Sequence, residues 1–501
     1  MKAGRREWIG LGVIALPCML YAMDLTVLNL ALPALSQALK PSAVQLLWIV
    51  DIYGFLVAGA LIPMGALGDR IGRRKLLLWG AGSFAVASVI AAFSTSAAML
   101  IATRAILGFA GATLAPSTLS LIRNMFLDAE ERTFAIGIWI TSYSIGGAIG
   151  PLLGGFLLQH FWWGSVFLLS VPVMAVLLIL GPILLPEYRD PGTTLPDITS
   201  ALLSLASVLA VIYGIKRLAE YGFAGWPFFV IALGLLMGWI FIHRQKKLKD
   251  PLIHLHLFNS STFSVSLTIY MLSTFVAFGF FVYLAQYLQL VVGLSPLRAG
   301  LWMLPSFIGF TIGSMICPQL VRKIAPAYLM AAGLVMAAVG YGLMCVLSAA
   351  SGPVIFMSGL GLYSLGLAPA FTLTTDFIVG AAPPEGAGAA SAISETSSEL
   401  GGALGVAILG SAGAALYRRA MAAVPIIGIP TQAIKEARET LGGAVAAAQQ
   451  LPPAQSRVLL EHATAAFMKG LHLAVMINIT MVVLLAVLAV IQLPKGSKAT
   501  P

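Results

Sequence analysis

The sequence predicts an all-α polytopic membrane protein. Of its 501 residues, 59% are hydrophobic and only 10% are charged, whereas soluble globular domains are nearer half apolar and a quarter charged. A soluble fold of this length would have too few charges to cover its surface. Long apolar runs recur along the chain, and cationic residues concentrate in alternate loops between them. The composition therefore argues against a soluble enzyme or a nucleic-acid-binding protein, despite a net charge of +10.

Fourteen apolar segments are long enough to cross a bilayer, which takes roughly 20 residues of helix. The first follows Arg5 and Arg6, as in a signal peptide. It continues far beyond the apolar region of a signal and shows no small-residue cleavage site, so we expect a retained helix. We place the helices at 9–32, 45–67, 76–95, 98–121, 133–156, 165–185, 197–216, 226–243, 263–290, 299–320, 328–349, 353–378, 386–412 and 471–493.

The distribution of lysine and arginine predicts the orientation, because cytoplasmic loops are enriched in these residues. An even number of helices places both termini on one side. The cationic residues of that side are Lys2, Arg5, Arg6, Arg70, Arg73, Arg74, Lys75, Arg123, Arg132, Arg244, Lys246, Lys247, Lys249, Arg322, Lys323, Lys495 and Lys498. The opposite short loops hold only Lys40, Lys216, Arg217 and Arg298. We therefore expect both termini in the cytoplasm and the protein in the cell inner (plasma) membrane.

Residues 413–470 break this pattern, since they form a long external segment with several basic residues. A long loop can cross the membrane regardless of its charge. The segment is rich in alanine and is divided by Pro452 and Pro453. Two interpretations fit it equally well: two amphipathic segments on the outer face, or a loosely ordered loop.

The segment GALGDRIGRRK, Gly65 to Lys75, follows the second helix. It resembles the major facilitator loop signature G-x-L-x-D-R-x-G-R-R/K at every key position. Its glycines permit tight turns and close backbone approach. Asp69 is a lone anion among cations and can bind a helix N-terminus or an arginine of a neighbouring helix. The resemblance implies a latch between the two halves on the cytoplasmic side, with a gating role for Gly65, Asp69, Arg70, Gly72, Arg73 and Arg74.

The segment GGAIGPLLGG, late in the fifth helix, matches the antiporter signature G-x-x-x-G-P-x-x-G-G without a departure. Gly146, Gly150 and Gly154 recur every fourth residue and share one helix face, which lets another helix approach closely. Pro151 lacks a backbone N–H and can bend the helix. The resemblance implies export in exchange for protons rather than import. The motif comprises Gly146, Gly150, Pro151, Gly154 and Gly155.

Two further motifs lie on the first and fourth helices. MDLTVLNLALP, from Met23 to Pro33, resembles the D-x-T-x-x-N-x-A-L-P signature of drug:proton antiporters. Arg104 in LIATRAILGFAGA matches the R-x-x-x-G of the fourth-helix motif. An arginine is expensive in lipid, so we expect Arg104 to face the bundle interior and a carboxylate.

Together these motifs cover the N-terminal half of the chain. With fourteen helices, and with the phrases LLWIVDIYGFLVAGALIPMG, PLIHLHLF and SAISETSSELGGALGVAILGS, the chain resembles the fourteen-helix drug:proton antiporters, in their methyl viologen and quaternary ammonium efflux branch. The resemblance implies the major facilitator fold: two six-helix bundles at 1–190 and 251–501, with an inserted helix pair at 191–250. The second half keeps only Arg322 and Lys323 of the loop motif, so it does not imply a symmetric latch.

Ionisable groups within membrane helices are functional candidates by default. Asp24 and Asp51 are predicted at similar depth on neighbouring helices, roughly 9–12 Å below the outer surface. Glu395 and Glu399 share one face of the thirteenth helix, where like charge and desolvation favour proton binding by at least one of them. Asp376 lies near the cytoplasmic end of the twelfth helix, where an interfacial helix end is an equally good interpretation. The predicted proton- and cation-coupling residues are Asp24, Asp51, Asp376, Glu395, Glu399 and Arg104.

Aromatic rings near these carboxylates are candidates for binding organic cations, an interaction of up to about 2 kcal/mol when it is desolvated. Trp139 and Tyr143 lie one turn apart on the fifth helix. For every aromatic candidate, packing or lipid contact is the alternative role. The candidates are Tyr53, Trp139, Tyr143, Phe278, Tyr283 and Phe371.

The expected function is proton-coupled export of lipophilic and quaternary ammonium cations, such as methyl viologen, dyes and biocides, by alternating access around a midplane site. The alternative on the same fold is export or symport of an endogenous metabolite. A non-transporting receptor or scaffold does not explain five membrane carboxylates, and no nucleotide, metal or nucleophile motif indicates an enzyme. We expect no cofactor and no metal, with the proton motive force as energy source. The expected partners are small organic cations, protons and the lipid bilayer rather than nucleic acid, and the expected state is a monomer.

Overall fold

The structure, a computed structural model, describes residues 3–39, 41, 43–188, 197–221, 225–248, 251–253, 255–294, 296–347, 353–382, 387–423, 430, 433–434, 437–438 and 440–493. Several residues singled out in the sequence lie outside this description: Lys2, Lys40, Lys249, Lys495 and Lys498, and the side chains of Asp51, Pro151 and Lys216.

Within the described ranges, every regular element is helical. A chain in lipid must satisfy its backbone N–H and C=O groups internally, which an α-helix does. The helices are α1 (Arg5–Leu39), α2 (Ala43–Ile71), α3 (Arg73–Ala92), α4 (Ala97–Gly111), α5 (Leu114–Met125), α6 (Ala129–His160), α7 (Ser165–Leu168), α8 (Ser170–Leu184), α9 (Ile198–Tyr221), α10 (Gly225–Gln245), α11 (Ser261–Gln286), α12 (Pro296–Leu320), α13 (Pro326–Cys345), α14 (Pro353–Ala381), α15 (Ala387–Ala422), α16 (Leu441–Ala448) and α17 (Pro453–Gln492).

In the described part of the chain, fourteen spans are long and apolar enough to cross a membrane, which confirms the predicted number. The span predicted at 98–121 is present, and within it the helix is divided into α4 and α5. The helix predicted at 165–185 is likewise divided into α7 and α8. Pro116 and Pro172 lie just after the two breaks, and neither has an N–H to donate to the carbonyl four residues earlier, that of Ala112 or Leu168.

The segment predicted as an external excursion, 413–470, is largely the continuation of two membrane helices. The α15 helix runs on to Ala422, and α17 begins at Pro453. Their 36 and 40 residues correspond to about 54 and 60 Å of helix, well beyond the roughly 30 Å of hydrocarbon in a bilayer. The Tyr417 hydroxyl donates a hydrogen bond of 2.8 Å to the carbonyl of Ala437. The sequence did not reveal these extensions because the apolar run ends where the lipid would end, whereas each helix continues beyond that point.

Two hydrophobic cores organise the spans. One is formed almost entirely by α1 to α8, and these helices are called the first bundle below. The other is formed by α11 to α15 with α16 and α17, and α11 to α15 with α17 are called the second bundle. The bundles meet where α6 packs against α12 and where α2 and α5 pack against α15.

The inserted helices α9 and α10 pack on each other, and α9 also contacts α2 and α15. A polar cluster joins their ends: Arg244 donates a hydrogen bond of 2.7 Å to Asp197, and Gln245 donates one of 2.8 Å to the Ser200 hydroxyl. Hydrogen bonds from Arg244 and then Ser200 hold the pKa of Asp197 below its usual range. The backbone N–H of Leu252 also donates to Gln245, at 2.7 Å. This cluster therefore ties the inserted pair to the chain that leads into the second bundle.

The glycine motif of α6 positions α1, which carries Asp24. A Cβ atom placed on Gly146 would lie 2.0 Å from the backbone oxygen of Met19, and one placed on Gly154 would lie 2.8 Å from the Val27 side chain. Gly155 faces open space, with nothing within 4 Å of the same position. The motif therefore acts as a contact surface on which α1 and α6 approach closely.

We expect Gly146→Val to destabilise the protein by about 1–3 kcal/mol or more, because the new side chain meets backbone that cannot withdraw. Gly155→Val, on the same motif, should leave stability nearly unchanged. Thermal unfolding of both variants in detergent measures the difference. Equal melting temperatures for the two variants would show that α1 does not contact α6 through this face.

Candidate cation and proton site

Two glutamates of α15 lie at the centre of the candidate site. The Tyr21 hydroxyl of α1 donates a hydrogen bond of 2.9 Å to Glu399, and the Tyr270 hydroxyl of α11 lies 3.5 Å from Glu395. Both carboxylates are partly exposed, although the preceding turn of α15 is buried. The two bundles thus each contribute a tyrosine to one pair of acidic side chains.

A buried ion pair lies beside this pair, inside the first bundle. Arg104 of α4 is 1% exposed, and its guanidinium contacts the carboxylate of Asp24 at 2.7 Å. The Arg104 Nε also donates to the carbonyl of Ile49 at 3.2 Å. The Tyr53 ring lies 4.6 Å from the guanidinium carbon, within the range of a cation–π contact. Asp24 is therefore held by a charged partner that is itself fixed on three sides.

Aromatic rings connect these groups. The ring of Tyr21 lies 5.9 Å from the rings of both Tyr53 and Tyr143, and Tyr143 lies 4.8 Å from Trp139. On the other side, Phe371 lies 5.4 Å from both Tyr270 and Phe310, and it packs against the cores of both bundles. Such faces attract organic cations, and they do so more strongly when water is excluded.

The predicted aromatic residues divide into two groups. One group contributes to the cluster of aromatic rings near the carboxylates: Tyr53, Trp139, Tyr143 and Phe371. Tyr283 is instead buried in the core of the second bundle, where its hydroxyl donates to the carbonyl of Leu409 at 2.5 Å. Phe278 is 52% exposed and packs beside Gly402. Neither makes a described contact with the two glutamates.

At one end of the molecule, here called the motif end, the loop motif meets the start of α15. Asp69 is paired with Arg73 and accepts hydrogen bonds from the backbone N–H groups of Gly388 and Ala389. These N–H groups belong to the first turn of α15, where a helix terminus favours an anion. Arg73 is completely buried, and a Cβ atom on Gly388 would overlap its guanidinium. Gly72 links α2 and α3 with a backbone φ of 112°, a conformation that favours glycine.

A second set of charges joins the bundles at the motif end. Asp376 of α14 is 1% exposed and is paired with Arg132 of α6 at 2.8 Å, while the Thr133 hydroxyl donates to the same carboxylate at 2.8 Å. Arg322, after α12, is paired with Glu130 at 2.9 Å. Asp376 thus belongs to a closure between bundles rather than to the central group of carboxylates.

Several residues of the site were not predicted from the sequence. Tyr21, Tyr270 and Phe310 have no motif of their own, and only the fold brings them near Glu395, Glu399 and Phe371. Tyr21 could have been suspected, since it lies one turn before Asp24. The sequence marked Arg132 only as one of the cationic residues predicted on the cytoplasmic side. The side chains of Asp51 and Pro151 lie outside the described residues, so their predicted roles stay predictions.

The family of the chain follows from residues 14–406, which match the model of the Major Facilitator Superfamily. The chain belongs to the major facilitator superfamily. Its fold is similar to that of the human organic anion transporter MFSD10 (TETRAN), with a TM-score of 0.61 over 95% of this chain and 99% of that one, at 16% identity. At that identity, the likeness is one of fold alone.

Curated relatives of this major facilitator protein cover nearly its whole length. The multidrug efflux pump LfrA of Mycolicibacterium smegmatis is 42% identical over 93% of this chain and 92% of its own. The methyl viologen resistance protein SmvA of Salmonella typhimurium is 35% identical over 96% of this chain and 97% of its own. The tetracenomycin C resistance and export protein of Streptomyces glaucescens is 32% identical over 94% and 88%. The predicted family is thereby confirmed.

The closed motif end corresponds to one state in the transport cycle of a major facilitator protein. Bundles of such transporters move against each other to expose a central site to either side in turn. The contacts of Asp69 with α15, of Asp376 with Arg132 and of Glu130 with Arg322 all bridge the bundles at one end. All must separate before that end can open.

We expect Asp376→Asn to lower transport turnover about tenfold or more while substrate affinity stays within about threefold. The change leaves the nearly buried Arg132 facing a neutral side chain, which destabilises the closed motif end, and each 1.4 kcal/mol of that loss is tenfold in population. Turnover in proteoliposomes and equilibrium binding in detergent measure the two effects separately. Arg457→Gln is the control, because its ion pair with Glu461 is exposed. Equal losses of binding and turnover would contradict a gating role.

Proposed function

We propose that this protein exports lipophilic organic cations, including quaternary ammonium compounds, in exchange for protons. The observation that carries the proposal is the group of Asp24, Glu395 and Glu399 within membrane helices, surrounded by aromatic rings from both bundles. Carboxylates supply negative charge to a cation or a proton, and ring faces supply affinity for an organic cation. The names of LfrA and SmvA, a multidrug efflux pump and a methyl viologen resistance protein, support the same chemistry.

The motif end is proposed to face the cytoplasm. The positively charged residues Arg5, Arg6, Arg74 and Arg322 lie at this end with the start of α1, and cytoplasmic segments are enriched in such residues. With this orientation, the described state is closed to the cytoplasm. A cation would be released, and a proton taken up, on the external side.

The two carboxylate groups differ in what they can bind. Asp24 is already neutralised by Arg104 at 2.7 Å, whereas the contacts described for Glu395 and Glu399 are with tyrosine hydroxyls. A neutral donor stabilises an anion without cancelling its charge. The glutamates place two carboxylates one turn apart on one helix face, and Asp24 responds when a competing charge weakens its pairing with Arg104.

Exchange with protons provides enough free energy for export. One proton crossing a membrane potential on the order of 150 mV releases about 3.5 kcal/mol, and a pH difference of one unit adds about 1.4 kcal/mol. If a monovalent cation leaves for each proton that enters, only the pH term remains. More than one titratable carboxylate is compatible with a higher proton number for divalent cations.

We expect Asp24→Asn to abolish proton-driven export of monovalent and divalent cations alike, since it removes the carboxylate for which a proton or a cation competes with Arg104. Uncoupler-sensitive dye efflux from vesicles measures this. The unpaired Arg104 would also destabilise the protein by about 3–5 kcal/mol, so the double variant Asp24→Asn/Arg104→Gln is needed as well. It should fold normally and still fail to export. Near-normal export by a folded Asp24→Asn variant would refute the role of this carboxylate.

Substitution of the two glutamates should affect export differently: one should change the discrimination between substrate charges, and the other the pH dependence. Glu399→Gln is expected to reduce export of divalent cations at least about tenfold more than that of monovalent cations, because a second positive charge in a desolvated site needs a second anion. Glu395→Gln should instead move half-maximal export to lower pH, since Glu399 then loses the like charge one turn away and holds its proton less firmly.

Efflux of a matched monocation and dication across a pH series tests both glutamate variants. Glu461→Gln, an exposed carboxylate change on α17, is the control and should leave both profiles unchanged. Equal losses for the two substrates, together with unchanged pH profiles, would contradict this assignment. If cells stayed protected against cationic biocides in the presence of an uncoupler, the energy source or the substrate would differ from the proposed one.

A further inference from the structure

A hydrogen bond joins the two bundles in the middle of the molecule. Tyr21 lies on α1 of the first bundle, and its hydroxyl donates to Glu399 on α15 of the second, at 2.9 Å. The other polar contacts between the bundles described above, around Asp69, Asp376 and Glu130, lie at the motif end. The Tyr21 bond is therefore placed where substrate and proton are proposed to bind.

Tyr21 also contacts the environment of the Asp24–Arg104 ion pair. Its ring lies 5.9 Å from that of Tyr53, whose own ring lies 4.6 Å from the Arg104 guanidinium. Tyr21 and Asp24 are three residues apart on α1, so they lie on neighbouring positions of one helix face. A change at Glu399 that moves Tyr21 therefore also affects the part of α1 that carries Asp24.

We propose that Tyr21 is a positioning residue that holds the bundles in the state closed at the motif end for as long as Glu399 is anionic. This inference rests on the proposed function, since it assigns to one hydrogen bond the coupling between proton or cation binding and bundle movement. It goes further in naming the contact that prevents the empty, unprotonated transporter from changing state.

The physical reason is the difference between a charged and a neutral acceptor. A hydroxyl bonded to a carboxylate makes a charge-assisted hydrogen bond, roughly twice as strong as one between neutral groups. When Glu399 binds a proton or an organic cation, its demand for the Tyr21 donor falls and the link between α1 and α15 weakens. Among the described residues, the groups that affect this balance include Glu395 on the same helix, Tyr21 on α1 and Tyr53 on α2.

An exchanger must not return empty after it releases substrate, because each such return lets substrate cross the membrane without a proton in exchange. Tyr21 would suppress this step by stabilising the empty state closed at the motif end. Without its hydroxyl, the empty transporter changes state freely, and substrate then flows down its own gradient. The signature of losing Tyr21 is therefore loss of coupling rather than loss of movement.

Tyr21→Phe keeps the ring and removes only the donor. In proteoliposomes, we expect substrate accumulation driven by a pH gradient to fall about tenfold. Downhill flux of the same substrate at equal pH should be unchanged or faster, and substrate affinity should stay within about threefold. A pH-sensitive dye gives the number of protons moved per substrate, which should fall below the value for the unaltered protein.

Two further variants separate this role from a structural one. Tyr341→Phe removes a hydroxyl that is buried in α13 and has no hydrogen-bond partner in the described part of the chain, and it should leave coupling unchanged. Glu399→Asp keeps the negative charge but withdraws it by one methylene from the Tyr21 hydroxyl. It should reproduce the loss of coupling even if Tyr21→Phe does not fold.

The double variant Tyr21→Phe/Glu399→Gln distinguishes failure of this inference from failure of the proposed function. If Tyr21 acts through Glu399, the double variant is no more impaired than Glu399→Gln alone. An unchanged proton-to-substrate ratio in folded Tyr21→Phe and in Glu399→Asp would overturn the role of Tyr21, as would additive losses in the double variant. Normal proton-driven export by Glu399→Gln would refute the role of the glutamate itself, and the inference would fall with it.

Discussion

A charge inside a bilayer is stable only when an opposite charge or several hydrogen-bond donors meet it, and the architecture of this protein follows from that constraint. Among the described residues, three buried or nearly buried pairs satisfy it: Arg104 with Asp24, Arg132 with Asp376, and Arg73 with Asp69. The first lies within one bundle and can persist while the bundles move. The Asp376 pair, and the hydrogen bonds of Asp69 with α15, cross between bundles and must be broken and remade. The same chemistry thus serves stability in one place and gating in another, and the difference lies only in which bundle supplies the partner.

The central glutamates follow a different rule. They lie one turn apart on α15 and accept hydrogen bonds from a tyrosine hydroxyl of each bundle. A site built in this way keeps its affinity for a positive charge, whether a proton or an organic cation. The surrounding rings add affinity that depends little on the shape of the ligand, because every ring face attracts positive charge. Broad substrate range and proton competition can both arise from this combination.

Much of the fold was predictable because membrane helices leave a strong signal in hydropathy. The number of spans and the family followed from apolar runs, from GALGDRIGRRK and from GGAIGPLLGG. The continuations of α15 and α17 beyond the lipid were not predictable in the same way, since an alanine-rich helix in water lacks the apolar signal that marks a span. The breaks before Pro116 and Pro172 could have been placed, but Pro63 and Pro369 lie inside unbroken helices, so a proline alone does not decide.

The sequence predicted site residues only where the free-energy cost of burying a charge identified them. That Arg104 would meet a carboxylate followed from the cost of a charge in lipid, but the choice of Asp24 required the packing of α1 on α6, within reach of the Arg104 side chain. The sequence placed Asp376 near the end of its helix, where it lies, but could not identify its partner Arg132, which is 244 residues away. Tyr21 and Tyr270 were missed because a tyrosine in an apolar run has no distinguishing pattern until the second bundle is placed beside the first.

The α15 helix carries the amide groups that hold Asp69 at one end and the two glutamates further along. Gly388 and Glu399 are separated by eleven residues of continuous helix, or about 16 Å. A helix of this length is stiff, so a displacement at the glutamates appears at the amide end without delay or loss. Because the amides belong to the backbone, no substitution at Gly388 or Ala389 other than proline deletes them. A compound wedged against this one helix would therefore arrest the release of substrate and the opening of the motif end together, and resistance through loss of the amide contact would be hard to select.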